Sequence, residues 1–398
     1  MNIKTIGIVG CLIASTLSSI AQEFTLSGEP LQWAEGYSHT TYLGLSVSKS
    51  LACFWNGRGD VFTFGHPASR STNLLDLRKG SLETGVMAAG DGYVYGMADY
   101  RIGMFRHYIN APPPYGEDGF LDYYYVPTRM ISVGSKLYVA TGNDVTIMNI
   151  VEPFKDDWLN IPRTRHIGAF VEDLTVSDGY VYTASSTGLK IIDDTNPDAR
   201  FAKLVGSWDS DAYGFCVAAS HGRAYLGTET GLRILDVSDP THPVLLGSYN
   251  AGGKVSKVEA QGDYVYMITD LHSLEMLNVS DPARPVVAGS LNLRPLPTAI
   301  GVTGPYIYLI AMQFAPTPFL IDLTPTHPQA TLRTQSYTPG TGLQLSVRGT
   351  PGAKAQLQRS TDCKTWSSVG SELTLGFEPS AITDPDPNTK AFYRTLLP

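Results

Sequence analysis

The chain has 398 residues, 43% of them hydrophobic and 17% charged, and a formal net charge of −8. That length admits a large core and more than one domain, and the acidic balance argues against a nucleic-acid partner, which needs a basic face. The 39 glycines and 26 prolines suit a turn-rich β protein, and no run of like charges marks a tail or a membrane-surface patch.

The chain opens "MNIKTIGIVGCLIASTLSSIAQEF". Lys4 supplies a positive charge, residues 6–17 an apolar run, and Ser19 and Ala21 the small residues before a cleavage site after Ala21. Residues 1–21 therefore read as a secretory signal, and the mature protein is expected to be secreted, periplasmic or held at the cell surface. Two other readings fit less well: a first membrane helix, for which the run is short, and a lipobox ending at Cys11, for which the preceding run is shorter still. No other segment reaches the roughly 18 apolar residues that span a bilayer, so no transmembrane segment is expected.

Beyond this point the sequence repeats itself. An aromatic residue closing a "DGYVY"-like phrase recurs at Tyr95, Tyr138, Tyr182, Tyr225, Tyr266 and Tyr308, and Phe54 stands 41 residues before the first of them. A near-constant interval in the low forties is the signature of a repeat architecture. Each copy has one grammar: a short apolar stretch, the anchor strand, a third strand such as "GLRILDV", a turn such as "SDPTHP", and a fourth strand such as "VLLGSYN". Four strands and four turns of ordinary length account for the interval. "YVYMI" and "YIYLI" are apolar without alternation, so these strands should be covered on both faces. In a ring of small sheets each sheet lies between two neighbours, which predicts an all-β, seven-bladed β-propeller over residues 22–330. The stretch 24–36 resembles a fourth strand, so an N-terminal strand is expected to complete the last blade and leave no open edge.

"GLKIIDDTNPDARFAKLVGSW" (188–208), "GLRILDVSDPTHPVLLGSY" (231–249) and "SLEMLNVSDPARPVVAGSL" (273–291) together resemble the LVIVD-repeat family. Residues 145–153 and 318–328 carry weaker echoes, and the first two copies rest on spacing alone. The resemblance implies a propeller exported to the surface or beyond. It implies no activity, because no common catalytic motif of that family can be placed here.

Residues 331–398 change in style. Short strands alternate with Gly, Pro and Asp, which reads as a small β-sandwich with Trp366 and Tyr393 as core anchors. The "LQRSTDCKTWSSVG" phrase resembles C-terminal modules of secreted bacterial proteins. So few residues make a thin core. The mature cysteines, Cys53, Cys216 and Cys363, are odd in number and widely spaced, so they read as buried small hydrophobes rather than a disulfide framework.

Several motifs carry a functional and a plain structural reading. The recurring Asp236, Asp239, Asp281 and Asn278 suit turn-setting better than metal or acid–base work. "DPDPN" (384–388) lacks the Gly and distant Glu of a calcium loop. "GRGD" (57–60) is an adhesion triplet or a hairpin turn, and "NVS" (278–280) is a sequon inside a structural phrase. Residues 111–129, "APPPYGEDGFLDYYYVPTR", crowd Tyr115, Phe120 and Tyr123–Tyr125 behind three prolines. A stiff aromatic loop suits recognition; the other reading is a lid, with Tyr123–Tyr125 as a fourth strand. The loops entering each first strand should ring one channel mouth with His39, Glu83, Arg129, Glu172, Asp173, Asp211, Tyr213, Lys254 and Lys257.

The sequence holds no nucleophile elbow, paired-His metal motif or phosphate-cradling loop, so no cofactor or metal is expected. The reading this favours is a non-enzymatic exported scaffold that recognises a protein, peptide or glycan at the mouth or through 111–125. The candidate ligand-binding residues are His39, Arg129, Asp173, Tyr213, Lys257, Tyr115 and Phe120. Two alternatives stand beside it: a propeller enzyme of the polysaccharide lyase or hydrolase type with a channel-mouth site, and a surface structural or adhesion component.

Overall fold

The computed structural model describes residues 24–30, 42–47, 51–56, 61–65, 74–78, 87–90, 93–98, 101–106, 117–122, 127–150, 159–196, 202–209, 212–271, 273–292, 297–303, 306–311, 317–325, 330–338, 342–376, 379–385 and 391–397. Residues 1–23, His39, the "GRGD" stretch (57–60) and Tyr115 lie outside the described residues.

All regular structure among the described residues is β. β1 (Phe24–Pro30) comes first. Three sets of four strands follow: β2–β5 (Tyr42–Val47, Leu51–Asn56, Val61–Gly65, Leu74–Arg78), β6–β9 (Met87–Gly90, Tyr93–Ala98, Arg101–Arg106, Glu117–Asp122) and β10–β13 (Arg129–Val133, Lys136–Thr141, Asp144–Ile150, Leu159–His166). Three more are β14–β17 (Val171–Ser177, Tyr180–Ser185, Gly188–Asp193, Lys203–Asp209), β18–β21 (Cys216–Ser220, Arg223–Thr228, Gly231–Asp236, Val244–Asn250) and β22–β25 (Val255–Gln261, Tyr264–Thr269, Ser273–Asn278, Val286–Asn292). Each set pairs in chain order as a four-stranded sheet. A further four-stranded sheet has the order β1-β28-β27-β26, with β26 at Pro297–Thr303, β27 at Tyr306–Ala311 and β28 at Thr317–Pro325. The N-terminal strand thus takes the fourth place in the last sheet, the place that residues 24–36 suggested. The first strands meet their neighbours in cyclic order, β2, β6, β10, β14, β18, β22, β26 and back to β2.

Local chemistry explains the hairpins. The turns Asp178-Gly179 and His221-Gly222 hold both central residues at positive φ (53° and 80°, 53° and 70°). That is the two-residue hairpin geometry whose twist matches the strands, and it needs Gly at the second place. The turn after the third strand is equally local. Asp236 Oδ1 accepts from Ser238 N (2.9 Å) and Oγ (2.6 Å), and Asp239 Oδ1 accepts from Thr241 N (3.0 Å) and Oγ1 (2.6 Å). Asn278 and Asp281 accept from Ser280 N and Ala283 N in the same way. The "DVSDP" phrase is therefore two successive side-chain-capped turns, not a ligand site. Those bonds hold the Asp236 and Asp239 carboxyls below the usual range, the side-chain bonds from Ser238 and Thr241 first.

Burial is greatest in the second and third strands of the β14–β17 and β18–β21 sheets. β23 is buried at every position, and β11, β15 and β19 at all but the first, so both faces are covered as the unalternating pattern suggested. The anchors Tyr95, Tyr225, Tyr266 and Tyr308 are among the largest fully buried side chains, and Tyr138 and Tyr182 are buried too. The fourth strands β17 and β21 are largely accessible. Register corrects one anchor. In β16, β20 and β24 the residue facing the tyrosine (Ile191, Ile234, Met276) sits at a one-residue slip toward the fourth strand. In the first sheet that slip falls at Thr63, which faces Cys53, not Phe54. The aromatic type pointed to Phe54, but a shift of one residue moves a position to the other sheet face. In the second sheet the fourth strand is Glu117–Asp122, ahead of Tyr123–Tyr125, and Phe120 pairs with Gly103 within it.

Adjacent sheets are keyed together by polar and close contacts. The buried Asp194 Oδ2 accepts from Lys136 Nζ (2.7 Å) and Tyr138 Oη (2.8 Å) of the preceding sheet. Arg223 Nη1 donates to Val279 O (2.7 Å) of the following repeat. Gly206 and Gly247, in the recurrent "GS" of the fourth strand, lie against the backbone carbonyls of Pro240 and Pro282 in the next repeat.

The chain divides into two compact units, Gly28–Ile321 and Asp322–Pro398 with Met1–Ser27. In the C-terminal unit β29 (Ala330–Thr338), β30 (Gly342–Gly349) and β34 (Ser380–Asp384) form one sheet, and β31 (Lys354–Ser360) pairs with β32 (Ser367–Ser368), β33 (Leu373–Thr374) and β35 (Phe392–Leu396). Leu343, Leu345, Leu357, Val369, Ala391 and Tyr393 share one core. Tyr393 is a core residue as expected, and its hydroxyl donates to buried Asp384 (2.8 Å), which also receives Arg359 Nη1. The first carboxylate of "DPDPN" is thus engaged structurally. Trp366 departs from expectation: it is only partly buried and lies under the Arg394 guanidinium, 4.2 Å from its ring centroid. Cys363 departs as well. It is exposed, in a turn at φ 59°, where a polar loop rather than a core dictates its place; Cys216 is buried.

Candidate functional site

The first strands enclose a cavity of about 170 Å³ within the Gly28–Ile321 unit. Its polar wall is Ser46, Arg129, Ser132, Asp173, Thr175 and Glu259, and Leu45, Ile131, Leu174, Val217, Val258 and Ile300 supply the aliphatic wall. Register shows how the sequence builds it. Arg129, Asp173 and Lys257 occupy one rung of three different first strands, facing Ala140, Ala184 and Ile268. The strands β14 and β22 reach that rung through a one-residue slip, between Val171 and Asp173 and between Val255 and Lys257. Such a bulge re-aims the side chain that follows it.

Of the residues named from sequence, Arg129 and Asp173 come together. Arg129 Nε lies 3.0 Å from Asp173 Oδ1 but lacks the alignment of a hydrogen bond. Asp173 is buried and accepts from Leu174 N (3.0 Å, Oδ1) and Val217 N (3.2 Å, Oδ2). Lys257 is on the same rung, within electrostatic range of Glu259 and Cys216. Tyr213 belongs to a separate group. Its hydroxyl donates to Glu172, its ring packs 4.7 Å from Phe215, and Lys254 Nζ sits 3.4 Å above the Phe215 ring. The bond to Glu172 pushes the Tyr213 phenol up to about 12, so it stays a neutral donor. Phe170 and Leu271, both exposed, are in turns at the same end of these sheets. Of the remaining candidates, His39 and Tyr115 lie outside the described residues, and Phe120 is described only as part of the β9 ladder.

Glu259 and Phe215 are the functional candidates that sequence reasoning passed over. Glu259 faces anchor Tyr266, where the other copies place Ser46, Ala88, Ile131, Thr175, Ala218 and Gly301. A carboxylate at a position otherwise uncharged was the available signal, but it emerges only once register is known. Burial pushes its carboxyl up to about 7, with Asp173 adding to the rise and Arg129 and Lys257 opposing it. Burial likewise pushes the Cys216 thiol up, and it donates to Val255 O (3.4 Å), so it is no nucleophile near neutrality. Among the described residues no three His, Cys, Asp or Glu converge to hold a metal, and no helix is long and apolar enough to cross a membrane.

Comparison with known proteins agrees with this architecture. The LVIVD repeat model matches residues 169–199, 216–251 and 252–292. A β-propeller domain of Cps50 (Swd1) from Myceliophteria thermophila is similar over 75% of this chain and 99% of its own, at 9% identity and a TM-score of 0.55. The computationally designed protein Ika8 is similar over 82% of this chain and 87% of its own, at 12% identity and a TM-score of 0.52. At such identities the likeness is one of fold. No curated protein matches the chain.

Proposed function

We propose that this chain, an all-β propeller carrying LVIVD repeats, is an exported, non-enzymatic scaffold that recognises a protein, peptide or glycan at its channel mouth. A propeller of repeats suggests an interaction scaffold in general. The finer reading rests on one observation: the continuous group Glu172–Tyr213–Phe215–Lys254, which joins three consecutive sheets at one end of the channel. Aromatic rings beside a cation and a carboxylate give contact area and directional bonds at small entropic cost. Chemistry inside the channel is the second reading, favoured by the Glu259 carboxyl near 7. Size supports the first. About 170 Å³ falls below the ~300–1,000 Å³ of sites for drug-sized ligands, which favours recognition at the mouth over an oligosaccharide held inside.

The test is binding to arrayed peptides and glycans. Phe215→Ala is expected to weaken every captured ligand by roughly tenfold or more, while Val244→Ser on an exposed fourth strand leaves binding unchanged. Equal capture by wild type and F215A removes the mouth from consideration. The proposal includes seven blades between residues 22 and 330 and a β-sandwich over 331–398, supported by the cyclic order of first strands and by the shared C-terminal core. Mass spectrometry of the exported protein checks both ends: an intact chain starting at Gln22, and a limited-proteolysis cut near residue 330. A retained N-terminal segment would count against export by cleavage.

A further inference from the structure

We infer that the outward face of the C-terminal strands β35, β31 and β32 is a binding site for an acidic glycan, in which Arg394 takes a uronate carboxylate and Gln358 and Ser368 take the ring hydroxyls beside it.

Alternation builds the face. Ala355, Leu357 and Tyr393 turn into the core, so Gln356, Gln358, Arg394 and Leu396 turn out. Register places Arg394 opposite Gln358 and Gln358 opposite Ser368. Three adjacent strands spread this row over about 10 Å, the breadth of a disaccharide. Arg394 and Ser368 are exposed, and Gln358 is half-buried.

Three observations point to the ligand. First, Arg394 is oriented twice over. Its Nε donates to Gln358 Oε1 (2.8 Å), and its guanidinium carbon lies over the Trp366 ring, 4.2 Å from the centroid. Its two Nη groups have no partner among the described residues. A guanidinium fixed in this way offers the fork of donors that matches a carboxylate, and little of its ordering remains to be done on binding. Second, its charge is uncompensated. Lys354 and Arg359, the cations of β31, have Glu372 and Asp384 beside them, whereas Arg394 has no carboxylate among the described residues. Asp362, in the turn before Trp366, is engaged by that turn, where its Oδ1 accepts from Lys364 N and Thr365 N (2.8 Å each). Residues 331–398 carry seven Lys and Arg against five Asp and Glu, in a protein whose net charge is −8, so the positive balance is confined to this region. Third, the neighbouring groups suit a sugar. An arginine Nε only donates, so Gln358 turns its amide oxygen to Arg394 and keeps its NH₂ for a ligand. The Ser368 hydroxyl has no partner among the described residues. An extended peptide is held through its main chain at an open strand edge, and this face offers side chains instead.

Calorimetric titration of the full chain with oligomers of galacturonate, glucuronate and mannuronate at fixed ionic strength, against neutral cello-oligomers and oligo-glutamate, tests the inference. Saturable binding of at least one uronate series is expected, with none of the neutral sugars or of oligo-glutamate. Arg394→Gln should weaken it by roughly tenfold or more, and Arg394→Lys, which keeps the charge but loses the fork, nearly as much. Trp366→Ala should weaken it severalfold by releasing the guanidinium. Lys364→Gln removes the same charge from the neighbouring turn and should change affinity by no more than about twofold. No response to any uronate, equal binding of oligo-glutamate or neutral sugars, or wild-type affinity in folded R394Q overturns the proposal. Should R394Q fail to fold, wild-type affinity in R394K does the same. F215A is expected to keep its uronate affinity. With this face saturated by free uronate oligomer, peptide and glycan arrays report the propeller mouth alone, so this site and the proposed function stand or fall separately.

Discussion

Replacing Gly247 with valine is expected to lower the unfolding free energy by about 3 kcal/mol or more, among the largest effects of any single substitution outside the core. A Cβ at this position would fall inside the contact shell of the Pro282 carbonyl oxygen, 2.9 Å from the carbonyl carbon and 3.0 Å from Ala283 Cα. These are backbone atoms of the next repeat, held by the Asn278 and Asp281 turns. They cannot rotate away as a side chain would, so the two sheets must separate. Gly206 meets Pro240 in the same manner one repeat earlier, and Gly206→Val should cost a similar amount. Ser248→Ala, at an exposed neighbouring position, should change stability by no more than about 0.5 kcal/mol. Equilibrium urea unfolding measures all three. If G247V unfolds at the same midpoint as S248A, the turn-to-strand contact does not hold the sheets together.

Glu259→Gln is expected to stabilise the protein at pH 8 and leave it unchanged near pH 4. Burial pushes the folded-state carboxyl up to about 7, against 4.5 for the solvated group, so the folded protein binds the extra proton between those values. Its contribution to stability is complete below pH 4.5 and is lost as pH rises through 7, because the ionised carboxylate is worse placed in the channel than in the unfolded chain. The shift corresponds to about 3 kcal/mol at most. Glutamine mimics the neutral acid at every pH. The difference in unfolding free energy between wild type and E259Q should therefore grow between pH 4.5 and 7 and then level off. A difference that is flat with pH, or one that shrinks as pH rises, would show that Arg129 and Lys257 compensate the carboxylate fully.

Different parts of the site were legible from the sequence to different degrees. Arg129, Asp173 and Lys257 are legible as polar residues near the entry to each first strand, but they lie within the strands, and only register shows that they share a rung. That Arg129 and Asp173 pair, whereas Tyr213 turns to Glu172, depends on side-chain direction between sheets, which spacing does not encode. The aromatic type of the other anchors favours Phe54 over Cys53; only the ladder to Thr63 separates them. The type of Trp366 suits a core, yet the core there is closed by Val369 and Tyr393.

By itself the chain's sequence determined the interval, the four-strand grammar and the turns, because these are local: an Asp two residues before a Ser amide, a Gly at positive φ, an apolar run too uniform for an open face. Tertiary structure decided the rest. Register set which residues share a rung, the cyclic order of first strands set which walls line the cavity, and burial there pushes the Glu259 carboxyl up. Those properties depend on what neighbouring sheets bring within a few ångströms, and that distance has no counterpart along the chain.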